Sequence, residues 1–568
     1  SDTLTSRRIG YHLSQAVDSE LNGLLEHTIK EHWSKKCFSD FHGDSYTFSE
    51  VASVIMRNHL AWEKSGFEKG FRIALCGRNS AMWATTLISA LTYGAVAVPL
   101  LNEFTPEQVH RLVNHSEARV LFVSQQIWKK LDIKEMPSLD LVMLDTKDRK
   151  IVYCKDEQVK KNFEEEDLLL GEAFPNGLEA ADISFYRHRS PEELIIINYT
   201  SGTTSDPKGV MIPARALWSN MAFAEEVLPQ LNCNMNVLSL LPSAHVYGMA
   251  FELMYEFIVG IHITFITKAL SPFIIMTALA EVRPDLIVVV PLLMEKVIRK
   301  GVIPKWNSPK VKFMRKIPFL STYVKNTVRK KLTESLGGNL YEVIIGGAAL
   351  APDVEDLLHE IKFPYTVGYG MTECAPILGY RDWKSFVPHS CGCPAPRMEV
   401  KIDSEDPANK PGEIIARGMN VMLGYYKNQE ATDAAIDKDG WLHTGDMGVI
   451  DHDNNIFIRG RVKNMLLSGT GQNIYPEDVE REISAIPYVA ETVVVQRDTR
   501  LIALVYPDRE AAAEAGLTDD AQIKKFFESK KADINNNLAA YSHITSFEVM
   551  EKEFEKTPKK SIKRFLYS

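Results

Sequence analysis

Phe71-Arg-Ile-Ala-Leu-Cys76, Ala81 to Tyr93, Ala95-Val-Ala-Val-Pro-Leu100, Pro106 to His115 and Arg119-Val-Leu-Phe-Val-Ser124 follow one another with short turns between them. The first, third and fifth pieces are short, nearly continuous apolar runs, which suit strands buried on both faces. The second and fourth read as helices. Strands alternating with helices predict a parallel sheet covered on both sides. The same grammar returns downstream as helix Met249 to Val259, strand Ile261-His-Ile-Thr-Phe-Ile266, helix Pro272 to Val282 and strand Leu286-Ile-Val-Val-Val290. Two such runs predict two doubly wound α/β subdomains packed together.

The pattern changes after about Val387. Glu399-Val-Lys-Ile-Asp403, Gly412-Glu-Ile-Ile-Ala416 and Asn455-Ile-Phe-Ile-Arg459 are short strands between Gly and Pro turns. They predict a small β-barrel-like element over about 388–462. A last block, 463–568, has a helix near Pro476, strands at Glu491 to Gln496 and Leu501 to Tyr506, and a helix near Asp519 to Tyr541. Its last helix shows Ile523, Phe526, Phe527, Ile534 and Leu538 on one face. The expected organisation is therefore a large region, 1–462, and a small, separate α+β domain, 463–568.

At 568 residues the chain has room for three or four domain-sized units. Lys and Arg number 65 against 74 Asp and Glu, a formal net charge of −9, which argues against a general nucleic-acid binder. Seven scattered cysteines, with Cys391-Gly392-Cys393 the one close pair, lack the spacer of a zinc or redox motif and point to a reducing, cytoplasmic setting. No apolar segment follows Arg7-Arg8, so no signal peptide is expected. The most apolar stretch, Met249 to Ala280, is broken by Glu252, Glu256, Lys268 and Pro272, so no transmembrane span is expected.

The segment richest in chemistry is Ile195-Ile-Ile-Asn-Tyr199-Thr200-Ser201-Gly202-Thr203-Thr204-Ser205-Asp206-Pro207-Lys208-Gly209-Val210. A buried strand runs into a turn of hydroxyls with a glycine at each end and one lysine. Hydroxyls, free N–H groups and a cation are what phosphate oxygens need. The order is not that of a Walker A loop, since Lys208 precedes Gly209. On composition alone, a Ser/Thr-rich surface turn fits equally well.

Tyr-Thr-Ser-Gly-Thr-Thr-x-x-Pro-Lys-Gly-Val resembles the phosphate loop of the adenylate-forming superfamily, which holds acyl-CoA synthetases, nonribosomal adenylation domains and luciferases. Ser205 departs from the glycine many members carry there. Further matches follow in the family's order. Gly346-Gly347-Ala348 resembles the adenine-side loop, and Gly368-Tyr369-Gly370-Met371-Thr372-Glu373 the nucleotide motif. The resemblance implies that Tyr369 stacks on adenine, Thr372 bonds the α-phosphate and Glu373 holds Mg²⁺. Alone, that hexapeptide would read as a tight turn before a helix. Gly440-Trp-Leu-His-Thr-Gly-Asp446 resembles the ribose-binding segment, and a carboxylate suits two vicinal hydroxyls. Gly460-Arg461-Val462-Lys463-Asn464 resembles the end of the large domain, with Arg461 assisting ribose and phosphates and Lys463 as hinge. Ser468-Gly469-Thr470-Gly471 onward resembles the lining of the pantetheine tunnel.

At the acyl end, Pro242-Ser-Ala-His245-Val-Tyr247-Gly248-Met249 resembles the motif beside the acyl pocket. Without it, His245 reads as a histidine satisfied in a core. The ending Lys563-Arg-Phe-Leu-Tyr567 and Gly379-Tyr-Arg-Asp-Trp383 look most like bacterial long-chain fatty acid–CoA ligases. The implied reaction activates a medium- or long-chain fatty acid with ATP and Mg²⁺ to acyl-AMP and transfers it to CoA. In relatives the small domain rotates at the hinge between the half-reactions.

One position breaks the pattern. Relatives carry a lysine immediately before Ile/Leu-x-Arg, and here Lys559-Lys560-Ser561-Ile562-Lys563-Arg564 puts Ser561 there. A short neutral hydroxyl supplies no charge to adenylation, a loss of about 10²–10³ in rate. Lys560 replaces it if the register slips by one, and Lys559 lies farther. The basic end otherwise reads as a solvated surface, with CoA phosphates or anionic lipid as other fits for its charge. Two alternatives stay open: an acyl-AMP ligase loading a carrier protein, and a catalytically impaired protein that binds ATP or acyl-adenylate. A luciferase-like oxidation also stays open, although no residue asks for it.

Overall fold

The computed structural model describes residues 17–200, 207–347, 349–558 and 560–568. The first strand–helix run forms the middle of an eight-stranded sheet. Arg72–Cys76 pairs in parallel with Val96–Leu100 on one side and Ala118–Val123 on the other. All five residues of Val96–Leu100 are buried, as a strand covered on both faces requires. The helix between, Ala81–Tyr93, is buried at every residue. Its composition explains this: it carries no charge on any face, so no stripe is left for water. Ser80 starts the helix by accepting from Trp83 N at 3.0 Å, and Gly94 ends it at φ 86°.

The second run enters a seven-stranded sheet ordered 365–367, 342–345, 286–289, 236–239, 262–265, 36–40, 45–47. Its strands pair in parallel except for the last hairpin. Lys36–Asp40, from the beginning of the chain, lies beside His262–Phe265. The chain thus crosses between the sheets and ties them into one core running from Leu21 to Ile456. The helix expected from Met249 starts earlier, at Val246, and its middle, Ala250–Met254, is π-helical. Glu252 in that stretch is fully buried and accepts from the backbone of Leu240 and Leu241, at 3.0 and 2.6 Å. Burial pushes its carboxyl up to about 8 against those two donors.

The β-rich segment differs from expectation. Met398–Asp403, Gly412–Gly418, Leu442–Ile450 and Ile456–Arg461 form an open four-stranded antiparallel sheet. Its outer strands, 398–403 and 456–461, do not pair with each other among the described residues, so no barrel closes. Four strands are too few to wrap a filled interior; even the small partly open barrels use five.

Past residue 463, Val489–Arg497, Arg500–Pro507 and Ile544–Val549 make a three-stranded sheet backed by helices Pro476–Ile483 and Asp520–Asn536. Ile523, Phe527 and Ile534 are buried there, and Phe526 is half-buried. These pack with Val479 and Phe547 in a core of their own.

Candidate functional site

Strands Leu194–Tyr199 and Gly209–Pro213 form an antiparallel hairpin. At its tip Thr200 N donates to Lys208 O at 2.9 Å, and Lys208 N donates to Thr200 Oγ1 at 3.3 Å. Ser201, Gly202, Thr203 and Thr204 lie outside the described residues, as does Ala348. Lys208 Nζ sits 5.5 Å from the ring centroid of Tyr425. The Tyr425 hydroxyl donates to Glu373 Oε2 at 2.8 Å. A cation and a carboxylate therefore flank one aromatic ring. Burial, then the Glu373 charge, raises the Tyr425 hydroxyl above its ordinary value, so it stays a donor.

A second group forms around Asp446. Antiparallel pairing sets Asp446 opposite Arg461, and Arg461 Nη1 donates to Asp446 Oδ1 at 2.6 Å and to Thr444 O at 3.1 Å. The buried Tyr369 donates its hydroxyl to Asp446 Oδ2 at 2.6 Å. Burial works against the Arg461 charge, but Asp446 outweighs it and holds the guanidinium above its ordinary value. Tyr369 comes from the short strand Tyr369–Gly370. A Cβ on Gly370 would stand 2.4 Å from Pro376 O, so the close turn needs glycine there. Thr372, buried, and Glu373 follow on a 3₁₀ turn.

Lys463 lies one short turn beyond Arg461. Burial lowers its ammonium below the ordinary value, and the cations Arg461, Lys208 and Arg564 add to this. Glu477 opposes them. Its Oε1 accepts from Arg461 N at 3.3 Å and from Asn464 Nδ2 at 2.7 Å.

The acyl-side residues meet the same site. His245 begins the helix at Val246, its Nδ1 accepting from Tyr247 N at 3.1 Å. Gly248 packs so close that a Cβ would lie 2.5 Å from Pro242 O. A Cβ on Gly346 would reach within 2.7 Å of the Tyr247 hydroxyl, and Gly347 adopts φ 95°. His245, Tyr247, Gly346, Gly347 and Tyr369 line one cavity, walled further by Phe223, Val227, Phe251, Ile344 and Met371. Among the described residues no carboxylate, lysine or arginine lines it.

Five predicted residues sit elsewhere. Ser468, Gly469 and Gly471 form the exposed tip of the hairpin Leu466–Leu467/Asn473–Ile474, which closes on itself. There Ser468 Oγ donates to Gln472 Oε1 at 2.6 Å. Lys560 and Ser561 occupy a turn in which Thr557 N donates to Ser561 O at 2.8 Å and Ser561 N to Thr557 Oγ1 at 3.3 Å. Lys560 is exposed with φ 70°, and its charge acts on Glu553. Among the described residues no hydrogen bond or ion pair joins Lys560 or Ser561 to Lys208, Glu373 or Asp446. Nearby, Arg564 grips Glu480 with both terminal guanidinium nitrogens, Nη1 at 2.8 Å.

Tyr425, Thr444 and Glu477 were not singled out from sequence. Tyr425 arrives through the pairing of Gly424–Tyr425 with Val210–Met211, some 200 residues apart. No local spacing signals that. Among the described residues no cluster of three or more His, Cys, Asp or Glu forms a protein-only metal cage.

Comparison with known proteins defines the class. A model of the "AMP-binding enzyme" family matches residues 25–426, and one of the "AMP-binding enzyme C-terminal domain" matches residues 463–567. The chain belongs to the AMP-binding enzyme family, the adenylate-forming acyl-CoA ligases. It is 28% identical over 506 residues to the peroxisomal long chain acyl-CoA synthetase 7 of Arabidopsis thaliana, covering 82% of this chain and 69% of that one. It is also 28% identical over 485 residues to a 4-coumarate–CoA ligase of Pinus taeda, covering 82% and 81%. Among solved structures, the anthranilate CoA ligase AuaEII in complex with anthranoyl-AMP superposes with a TM-score of 0.77 at 20% identity, covering 96% of each chain. o-Succinylbenzoate CoA synthetase from Bacillus subtilis, solved with ATP and a magnesium ion, gives 0.71 at 18% identity, covering 95% of this chain and 98% of that one. These two matches show the shared fold. No helix among the described residues is long and apolar enough to cross a membrane.

Proposed function

We propose that this protein converts a medium- or long-chain fatty acid to its acyl-CoA through an acyl-adenylate, using ATP and CoA. The observation that carries this is the single cavity shared by two kinds of residue. Tyr369, Gly346 and Gly347 belong to its nucleotide side, and its other walls are apolar. An uncharged cavity suits a hydrocarbon tail. Tyr369, Asp446 and Arg461 would bind adenine and ribose, the carboxylate accepting from the vicinal hydroxyls. Lys208, Thr372, Arg461 and the motif Thr200-Ser201-Gly202-Thr203-Thr204 would hold the phosphates. A carboxylate oxygen of the acid attacks the α-phosphorus, and pyrophosphate leaves with its bond electrons. The CoA thiol, losing its proton to solvent, then attacks the acyl carbonyl, and the C–O bond to phosphate breaks as AMP leaves with its electrons.

Glu373 fits a magnesium site. It is one carboxylate, half-exposed and oriented by Tyr425, and Mg²⁺ is held by one or two carboxylates together with substrate phosphates. When bound, that ion would offset charge on the phosphates. Lys463 would be the hinge between 1–462 and 463–568, and the hairpin of Ser468, Gly469 and Gly471 the CoA side.

Ser561 favours a second reading, in which adenylation is slow and the protein chiefly binds ATP or acyl-adenylate. Pyrophosphate release with ATP, Mg²⁺ and a panel of octanoate, palmitate and 4-coumarate, with and without CoA, tests both. Release that is fastest with palmitate and consumes CoA supports the first. Release fastest with 4-coumarate overturns the fatty-acid assignment. No release with any acid, alongside tight ATP binding, supports the second.

A further inference from the structure

Between strands Leu286–Val289 and Glu342–Ile345 the chain makes four helices, Pro291–Gly301, Ile303–Trp306, Pro309–Arg315 and Pro318–Ser335. From residue 296 to 333 it carries twelve Lys and Arg and no Asp or Glu, in a chain whose net charge is −9. Few of these cations are neutralised within the fold. Arg299 pairs with Asp353 and Lys325 with Glu360. Among the described residues no ion pair reaches the exposed Lys305, Lys310, Lys312 or Lys316.

The same region holds most of the exposed apolar surface. Among the described residues, eight of fourteen large apolar side chains left exposed lie between 270 and 323. Phe273 is 79% exposed, Phe319 74%, Phe313 65% and Tyr323 63%. Scattered exposed leucines need no explanation, but four aromatic rings in one region do.

Topology gathers them at one end. Helix Pro272–Val282 joins the parallel strands 262–265 and 286–289, and helix Pro318–Ser335 leads into the parallel strand 342–345. Both therefore run against the strands, with their N-termini at the strands' C-terminal edge. The far ends confirm the alignment. Arg283, past the first helix, donates to Gly337 O at 2.8 Å and to Asn339 Oδ1 at 3.2 Å, past the second. Phe273 and Phe319 sit at the two N-terminal ends. Gly346 and Gly347 leave the same edge of the sheet and line the acyl cavity. Exposed Val290 and Leu292 leave it between them.

We propose that this edge, formed by the N-terminal ends of helices 272–282 and 318–335 and the basic stretch 303–317, docks on an anionic lipid bilayer. Lysines would meet lipid phosphates while Phe273, Phe313 and Phe319 enter the headgroup–acyl boundary. Charge alone would fit an acidic protein equally well; the aromatic rings beside the lysines favour a bilayer, whose interface accepts both. Docking would set the cavity's edge of the sheet against the membrane.

Co-sedimentation with vesicles tests this on the whole chain, with no need for catalysis. Vesicles of phosphatidylcholine alone are compared with vesicles containing a third phosphatidylglycerol, at low and high salt. The expected result is binding to the anionic vesicles that weakens with salt, by at least about tenfold between 0.1 and 0.5 M. Lys310→Glu/Lys312→Glu/Lys316→Glu should lose at least about a hundredfold in affinity. Phe313→Ser/Phe319→Ser should lose binding while its melting temperature stays unchanged, since both rings are exposed. Equal binding to neutral and anionic vesicles overturns the proposal. So does wild-type binding by both variants, or capture by polyglutamate with none by vesicles.

Discussion

The corner around Asp446 and the turn at Ser561 are built in opposite ways. Asp446 is clamped from two sides, by Tyr369 at 2.6 Å and by Arg461 at 2.6 Å. Its partners sit on strands of the large region, so the charges are in place before any ligand arrives. Ser561 is fixed through its backbone, by Thr557, and a neutral hydroxyl stands where the resemblance calls for a lysine. Preorganised charge is the costly part of such a site to assemble. A fixed sheet corner can keep it, whereas a turn near the chain's end can exchange one residue with little effect on packing. On the proposed function, binding of the nucleotide and speed of the chemistry would belong to separable parts of the molecule.

The largest effect should come from breaking the first part. Asp446→Ala strands the buried Tyr369 hydroxyl and frees the Arg461 guanidinium. Turnover with ATP should fall about a thousandfold, measured as pyrophosphate release. A loss under tenfold would remove Asp446 from the nucleotide site. Next comes repair of the second part: Ser561→Lys should raise pyrophosphate release about 10²–10³-fold and leave ATP affinity unchanged. If release does not rise, either Lys560 already serves or the register is different. Lys560→Ala in the wild-type background separates the two, since it matters only in the first case.

The small domain supplies a third contrast. Arg564 is the cation for Glu480, whose side chain is mostly covered and whose carboxyl burial raises despite the pair. Arg564→Met leaves that carboxylate without its cation, with, among the described residues, only the Val494 N–H still donating to it at 2.8 Å. With the Arg564 side chain 27% exposed, the cost should be about 2–3 kcal/mol, below that of a fully buried pair. It is read as a lower unfolding midpoint of residues 463–568 in denaturant. Arg564→Met with Glu480→Leu should recover most of it. If the double variant is no better than the single, the loss lies in packing and not in charge.

The parallel sheets were legible because their strands are apolar on both faces and their helices follow at short spacing, as in 71–124. The sheet at 398–461 departs from the expected barrel in closure, which depends on whether the outer strands 398–403 and 456–461 meet and not on the local pattern of either. Glu373, Asp446 and Arg461 stood out through the resemblance of long motifs. Tyr425 did not, because its neighbours are ordinary and its place comes from a pairing with residues 210 and 211. The helices at 291–335 carry intact core-facing stripes, such as Val324, Val328 and Leu332, and a stripe marks the buried face without marking the aromatic rings exposed on the other.

The smallest expected effect lies beside Asp446. His443 Nδ1 is 2.7 Å from Glu413 Oε1, and Nε2 is 3.1 Å from Asp437 Oδ2. Glu413 above all, then Asp437, raises its pKa against a partial burial that lowers it. A group raised on folding contributes stability that is complete below its unfolded value, about 6.5, and is lost as pH climbs through the folded value. His443→Gln carries no such charge. Between pH 6 and pH 8 the wild-type melting temperature should therefore fall relative to that of His443→Gln, by about 1–2 °C given the partial exposure. Parallel curves would mean that folding leaves the imidazole pKa unchanged, against the pull of the two carboxylates. A wild type gaining on the variant as pH rises would reverse the sign and mean that folding makes the imidazole give up its proton.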